Sequence, residues 1–154
     1  MSKKVSIICI IHNDREYFSL IKENFEKFDY PEDDLELLIV DDGPENMMED
    51  FLDWDRTLYV HLSQEDMVKY LQKISFKGDN DNVIRNYHLL SMKLPMGFKR
   101  DLAVGSTSHD YIFHMDFDMS YNSQIIKRKL NPICERFIKR LISNSCIYVI
   151  LTTY

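Results

Sequence analysis

The seven residues Val5 to Ile11 (VSIICII) constrain the fold most. A β-rich apolar run without regular polar alternation reads as a strand buried on both faces, as in parallel sheets. Asn13-Asp14 then reads as a turn and N-cap, followed by a helix with Tyr17, Phe18, Ile21, Phe25 and Phe28 on its apolar face. Asp29-Tyr30-Pro31 ends that helix, because proline disfavours helix at the residue before it. Leu35 to Val40 (LELLIV) is the second expected strand, stopped by the turn signal Asp41-Asp42-Gly43-Pro44. Pro44 suits the first position of a second helix, with Met47, Met48, Phe51 and Leu52 as its apolar face. Thr57 to Leu62 (TLYVHL) reads as a third strand. This β-α-β-α-β order predicts an α/β fold, a mostly parallel sheet with helices packed on it.

Further along, Gln64 to Ile74 is expected as a short helix and Lys77 to Asn82 as a polar loop, while Val83 to Leu94 has no clear pattern. Gly97 to Ser106 (GFKRDLAVGS) predicts a helix that sets Phe98, Leu102 and Val104-Gly105 against the sheet. Tyr111 to Met115 (YIFHM) predicts a fourth strand running straight into Asp116-Phe117-Asp118. Ser123 to Ser143 has helical spacing with a break at Pro132, and Cys146 to Thr152 reads as a closing strand. No repeat or linker divides the chain, so residues 1–154 are expected to form one domain.

An apolar fraction of 45% is enough for a core, and a net charge of −6 argues against a broad nucleic-acid surface. Cys9, Cys134 and Cys146 are odd in number and show no CxxC spacing, which speaks against a disulfide framework or a zinc site. Cys9 and Cys146 lie in apolar runs and read as buried free thiols. The sequence carries no recognisable signal peptide and no run long enough to span a bilayer, so a cytoplasmic protein is expected.

The sharpest chemical feature is Asp116-x-Asp118 at the end of an apolar strand. Two carboxylates spaced this way can reach one hard cation as the chain leaves a strand. Mg²⁺ and Mn²⁺ favour oxygen ligands and are commonly shared between carboxylates and phosphate oxygens. The bland alternative is a solvated acidic turn. Position adds weight, because ligands of open α/β sheets bind beyond the carboxyl ends of the strands. His12-Asn13, Asp41-Asp42 and Asp116-Asp118 would all follow strands at that edge.

Three stretches carry a resemblance. VSIICIIHNDREYF resembles the opening strand and turn of family 2 glycosyltransferases. LELLIVDDGPEN resembles their second strand and acidic pair, and GFKRDLAVGSTSHDYIFHMDFDMSY their helix, strand and DxD segment. The ordered set spans Val5 to about Tyr121 apart from the middle loop. It implies a GT-A (Rossmann-like) fold and an inverting, metal-dependent transfer from a nucleoside diphosphate sugar to an acceptor hydroxyl, on a glycan or another acceptor. By the same resemblance, Ile11, His12 and Asn13 would lie against the nucleotide base, and Asp42 would read the base or ribose. Arg100 and its neighbour Lys99 would face the diphosphate. Asp116 would contact ribose or metal, and Asp118 would bind the Mn²⁺ or Mg²⁺ directly.

The chain departs from the family in two respects. Ile11-His12 stands where small residues, proline or tyrosine are common, and Asp101 stands where asparagine is common. Past Tyr121 the only acidic residue is Glu135, outside any family motif, so no general base is assigned. A partner protein supplying the acceptor site, or a non-catalytic nucleotide-sugar-binding scaffold, is the alternative these departures leave open. A phosphoacceptor receiver domain would place the acidic pair after its first strand, and a nucleotidyltransferase would need a glycine-rich basic first loop. Neither pattern is present. The basic cluster Lys127-Arg128-Lys129 with Arg136, Lys139 and Arg140 reads as a solvated helix face.

Overall fold

The computed structural model describes residues 3–63, 65, 94, 96–131 and 149–151. Their strands are β1 (Val5–Ile11), β2 (Leu35–Asp41), β3 (Thr57–His61), β4 (Tyr111–Met115) and β5 (Val149–Leu151). The helices are α1 (Phe18–Lys27), α2 (Met96–Gly105) and α3 (Ile125–Lys129). The sheet order is β3-β2-β1-β4-β5, and every pairing is parallel. The polar loop expected at Lys77 to Asn82, the helix expected at Gln64 to Ile74 apart from Glu65, and Glu135, Cys134 and Cys146 lie outside the described residues.

All seven residues of β1 are buried. Their alternation sorts them between two layers, since successive side chains of a strand point to opposite faces. Val5, Ile7, Cys9 and Ile11 join Leu35, Leu37 and Ile39 in a core with Phe18, Ile21 and Phe25 of α1. Ile8 and Ile10 join Leu38, Val40 and Ile112 in a second core under Ala103 of α2. Helices therefore cover both faces, and the architecture is α/β as expected.

Three local expectations are corrected. The segment after Pro44 forms only a 3-10 turn, Met48–Phe51. Met47 and Phe51 are buried, but Met48 and Leu52 are 44% and 75% exposed, because one short turn cannot present all four to the core. On α2 the buried positions are Lys99 and Ala103, one helical turn apart, rather than Phe98 and Leu102. Gly105 is exposed and only Val104 packs on the sheet, while Phe98 turns aside to Leu94. Asn13 and Asp14 do not cap α1; the residue before the helix is Tyr17, without a side-chain cap. The helix α3, Ile125–Lys129, lies within the segment expected to be helical before Pro132, and residues 132–148 lie outside the described set. Among the described residues no helix is long and apolar enough to cross a membrane.

Candidate functional site

The sheet order makes β1 and β4 the switch point: β2 and β3 extend to one side, β5 to the other. The crevice outside the carboxyl ends of such neighbours is where open α/β sheets bind ligands. β1 delivers His12 and Asn13 there, β4 delivers Asp116-Phe117-Asp118, and β2 delivers Asp41-Asp42. The three acidic and polar turns expected from the sequence are thus brought to one edge.

The two carboxylates of Asp41-Asp42 go to opposite faces and do different work. Asp41 is fully buried and accepts four hydrogen bonds. Its Oδ1 takes Asn13 N–H at 2.9 Å and Gly43 N–H at 2.8 Å. Its Oδ2 takes Asn13 Nδ2 at 2.9 Å and the Tyr59 hydroxyl at 2.8 Å. Burial pushes the Tyr59 phenol up in pKa, and its bond to Asp41 adds to that. Tyr59 also accepts the Met47 N–H at 3.0 Å, so one carboxylate ties β2, β3 and both following turns together.

Asn13 completes the knot. Its φ of 56° is left-handed, a conformation asparagine tolerates better than most residues. Its amide makes two 2.8 Å bonds to the backbone of Glu45, accepting from N–H and donating to C=O. A Cβ on Gly43 would lie 2.2 Å from Asn13 Cγ, so only glycine lets the two turns cross.

Asp42 points the other way, into the α2 layer. Its side chain is fully buried. Oδ1 lies 3.0 Å from both Lys99 Nζ and His12 Nδ1, and Oδ2 accepts Leu94 N–H at 2.8 Å. Lys99, itself 4% exposed, therefore pairs with Asp42 beneath the surface. His12 rests on that pair with 22% of its side chain exposed. Its main-chain N–H donates to Asp14 Oδ2 at 2.7 Å.

The groups that reach solvent here are Arg100, Asp116 and Asp118, all exposed, with His12 and Asn13 half-buried. Arg100 stands 3.7 Å from Asp116 Oδ1, and both are about half exposed, so the pair is weak. A small pocket of about 80 Å³ between β1, β4 and α2 is lined by Arg100, His114, Asp116 and Asp118 among others. Burial, then the Arg100 charge, lowers the pKa of His114 and favours its neutral form. Beneath the edge, burial raises the Cys9 thiol, and the Asp116, Asp14 and Asp118 carboxylates raise it further. Cys9 is a buried free thiol, as expected, under a negative edge.

Among the described residues no three or more His, Cys, Asp or Glu side chains gather as a metal cage. Asp116 and Asp118 offer exposed carboxylate oxygens at this edge.

Sequence reasoning missed Asp41 as the hub, Tyr59 as its partner and Lys99 as the buried counter-charge. Strand parity carried the signal: Asp41 continues the Leu35, Leu37, Ile39 side, and Asp42 the side of Leu38 and Val40.

No family profile matches the chain, and no curated protein matches it. Solved structures of S. aureus TarS are similar in fold. TarS 1–349 in complex with UDP-GlcNAc has a TM-score of 0.53 at 16% identity, covering 89% of this chain and 31% of that one. TarS 1–349 by itself gives 0.51 at 17% identity, covering 89% and 32%. A longer TarS structure gives 0.52 at 16% identity, covering 89% and 20%. This chain spans about a third of the TarS 1–349 chain it matches. At this level of identity the likeness shows the fold: α/β, of the Rossmann-like GT-A type.

Proposed function

We propose that the carboxyl edge of this sheet binds a nucleoside diphosphate sugar together with one divalent cation, as the donor site of a family 2-like, inverting glycosyltransferase. One observation carries the reading. Three turns meet at the β1/β4 switch point, and Asp116 and Asp118 are exposed there beside Arg100. The fold likeness to TarS solved with UDP-GlcNAc supports a nucleotide sugar as the ligand class.

In this reading His12 and Asn13 form the wall against the base, while Ile11, buried in the core, lies behind them rather than against the ligand. Asp42 and Lys99 act from below: their buried pair fixes the His12 ring from one side. Arg100 meets the diphosphate as a fixed positive charge. Asp116 and Asp118 hold Mn²⁺ or Mg²⁺. Two carboxylates, with no cage of three or more ligands among the described residues, fit a cation that completes its shell with phosphate oxygens and water. When bound, such a cation neutralises charge on the departing nucleoside diphosphate. The transfer itself is attack of an acceptor hydroxyl on the anomeric carbon, with the nucleoside diphosphate leaving. Among the described residues after Tyr121 no side chain is acidic, so the general base and acceptor site are assigned to other parts of the chain or to a partner protein.

The test is thermal unfolding with UDP, CDP, ADP, GDP and their sugars, each with and without Mn²⁺. A ligand at about a hundred times its Kd adds roughly 2.7 kcal/mol, which raises Tm by about 5–10 °C for a domain of this size. One base class is expected to stabilise, and only with Mn²⁺. A melt that no nucleotide moves contradicts the proposal.

A further inference from the structure

The loop that carries the two exposed carboxylates is tied down from behind, by a helix on the opposite side from Arg100. Asn24 of α1 is fully buried. A buried amide is costly unless its hydrogen bonds are made. The partners found for Asn24 belong to the loop backbone: Nδ2 donates to Met119 C=O at 2.7 Å, and Oδ1 accepts Tyr121 N–H at 3.0 Å. Tyr121, 9% exposed, packs between Phe28 and Phe113, with ring centres 6.5 Å and 5.6 Å away. Its hydroxyl reaches back and accepts the Asp116 N–H at 2.8 Å. Phe117 sits edge-on against Tyr17 at 5.1 Å, which turns it inward between two outward carboxylates.

These contacts close residues 116–121 into a ring: Tyr121 holds its start, Asn24 grips its end, and Met119 N–H spans back to Asp116 C=O at 3.4 Å. The other buried positions of α1 are Phe18, Ile21 and Phe25, all apolar, so packing alone would be served by leucine. We infer that Asn24 and Tyr121 are positioning residues that set the spacing and direction of Asp116 and Asp118 for a shared cation. The inference rests on the metal reading above and adds to it the device that preorganises the pair. Two carboxylates on a loose loop would spend part of their cation affinity on ordering that loop; here the core has already ordered it.

The experiment compares wild type with Tyr121→Phe and Asn24→Asp. Tyr121→Phe deletes one hydroxyl and leaves the ring packing. Asn24→Asp keeps volume and the acceptor for Tyr121 N–H but removes the donor to Met119. Calorimetric titration of UDP, CDP, ADP and GDP, each with Mn²⁺ and with EDTA, yields the gain in affinity that the metal confers. Melting temperature is recorded in parallel. The gain is expected to fall about fivefold in Tyr121→Phe, the factor matching one net hydrogen bond of about 1 kcal/mol, and further in Asn24→Asp. A purely structural role would lower Tm and leave the ratio of the two affinities at its wild-type value. That result in both folded variants overturns the inference. A wild type with no metal-linked gain overturns the metal reading itself, which keeps the two failures distinct.

Discussion

Asp41→Ala is expected to cost about 3–5 kcal/mol of stability and to lower Tm by roughly 10 °C or more. The fully buried carboxylate satisfies Asn13 N–H, Asn13 Nδ2, Gly43 N–H and the Tyr59 hydroxyl at once. Alanine strands all four donors. Each buried donor left unpaired costs about 1–3 kcal/mol, and water entering the vacated space recovers part of that. The measurement is urea unfolding at fixed ionic strength, read as the shift in midpoint. A loss below about 1 kcal/mol would mean that Asp41 is an ordinary solvated turn residue. Asp41→Asn is expected to fall in between, because its amide nitrogen meets donors where the carboxylate offered an acceptor.

Lys99→Met is expected to be similarly severe, by a different route. It leaves Asp42, whose side chain is fully buried, without the ammonium 3.0 Å away. Removing one partner of a buried pair typically costs about 3–5 kcal/mol, because the remaining charge stays desolvated. Replacing both, as Asp42→Asn with Lys99→Met, is expected to restore much of the loss. A double-mutant cycle measures this directly. If the two single changes simply add, Lys99 is a solvated surface residue that contributes nothing through Asp42.

Much of this architecture is legible in the residues, for definable reasons. VSIICII and LELLIV are buried on both faces, so their strands stand out without periodicity. Tyr111 to Met115 runs into Asp116 as expected, and the order of elements implies parallel pairing. The failures have a common cause. Lys99 is expected at the diphosphate because lysine seldom buries, and only its partner Asp42, 57 residues earlier in the chain, makes burial favourable. Asn24 lies hidden in a helix for the same reason, since its partners are 95 and 97 residues away. Met48 and Leu52 look like a helix face, but the turn at Met48–Phe51 is too short to form one. Local pattern reports which face is apolar. It does not report which polar group waits on the other side.

In the proposed donor site Asp116 and Asp118 hold a cation shared with a nucleoside diphosphate. Asp118 is exposed at the rim of the sheet, so Asp118→Ala is expected to keep the wild-type melting temperature to within a few degrees. The deciding measurement is calorimetric titration of UDP, CDP, ADP and GDP into wild type and Asp118→Ala, in Mn²⁺ and again in EDTA. Wild type is expected to bind at least one of them about tenfold or more tightly with Mn²⁺, a gain of about 1.4 kcal/mol, and Asp118→Ala to bind it equally weakly in both buffers. Equal wild-type affinities with and without Mn²⁺, or a metal-linked gain that survives in Asp118→Ala, would contradict it.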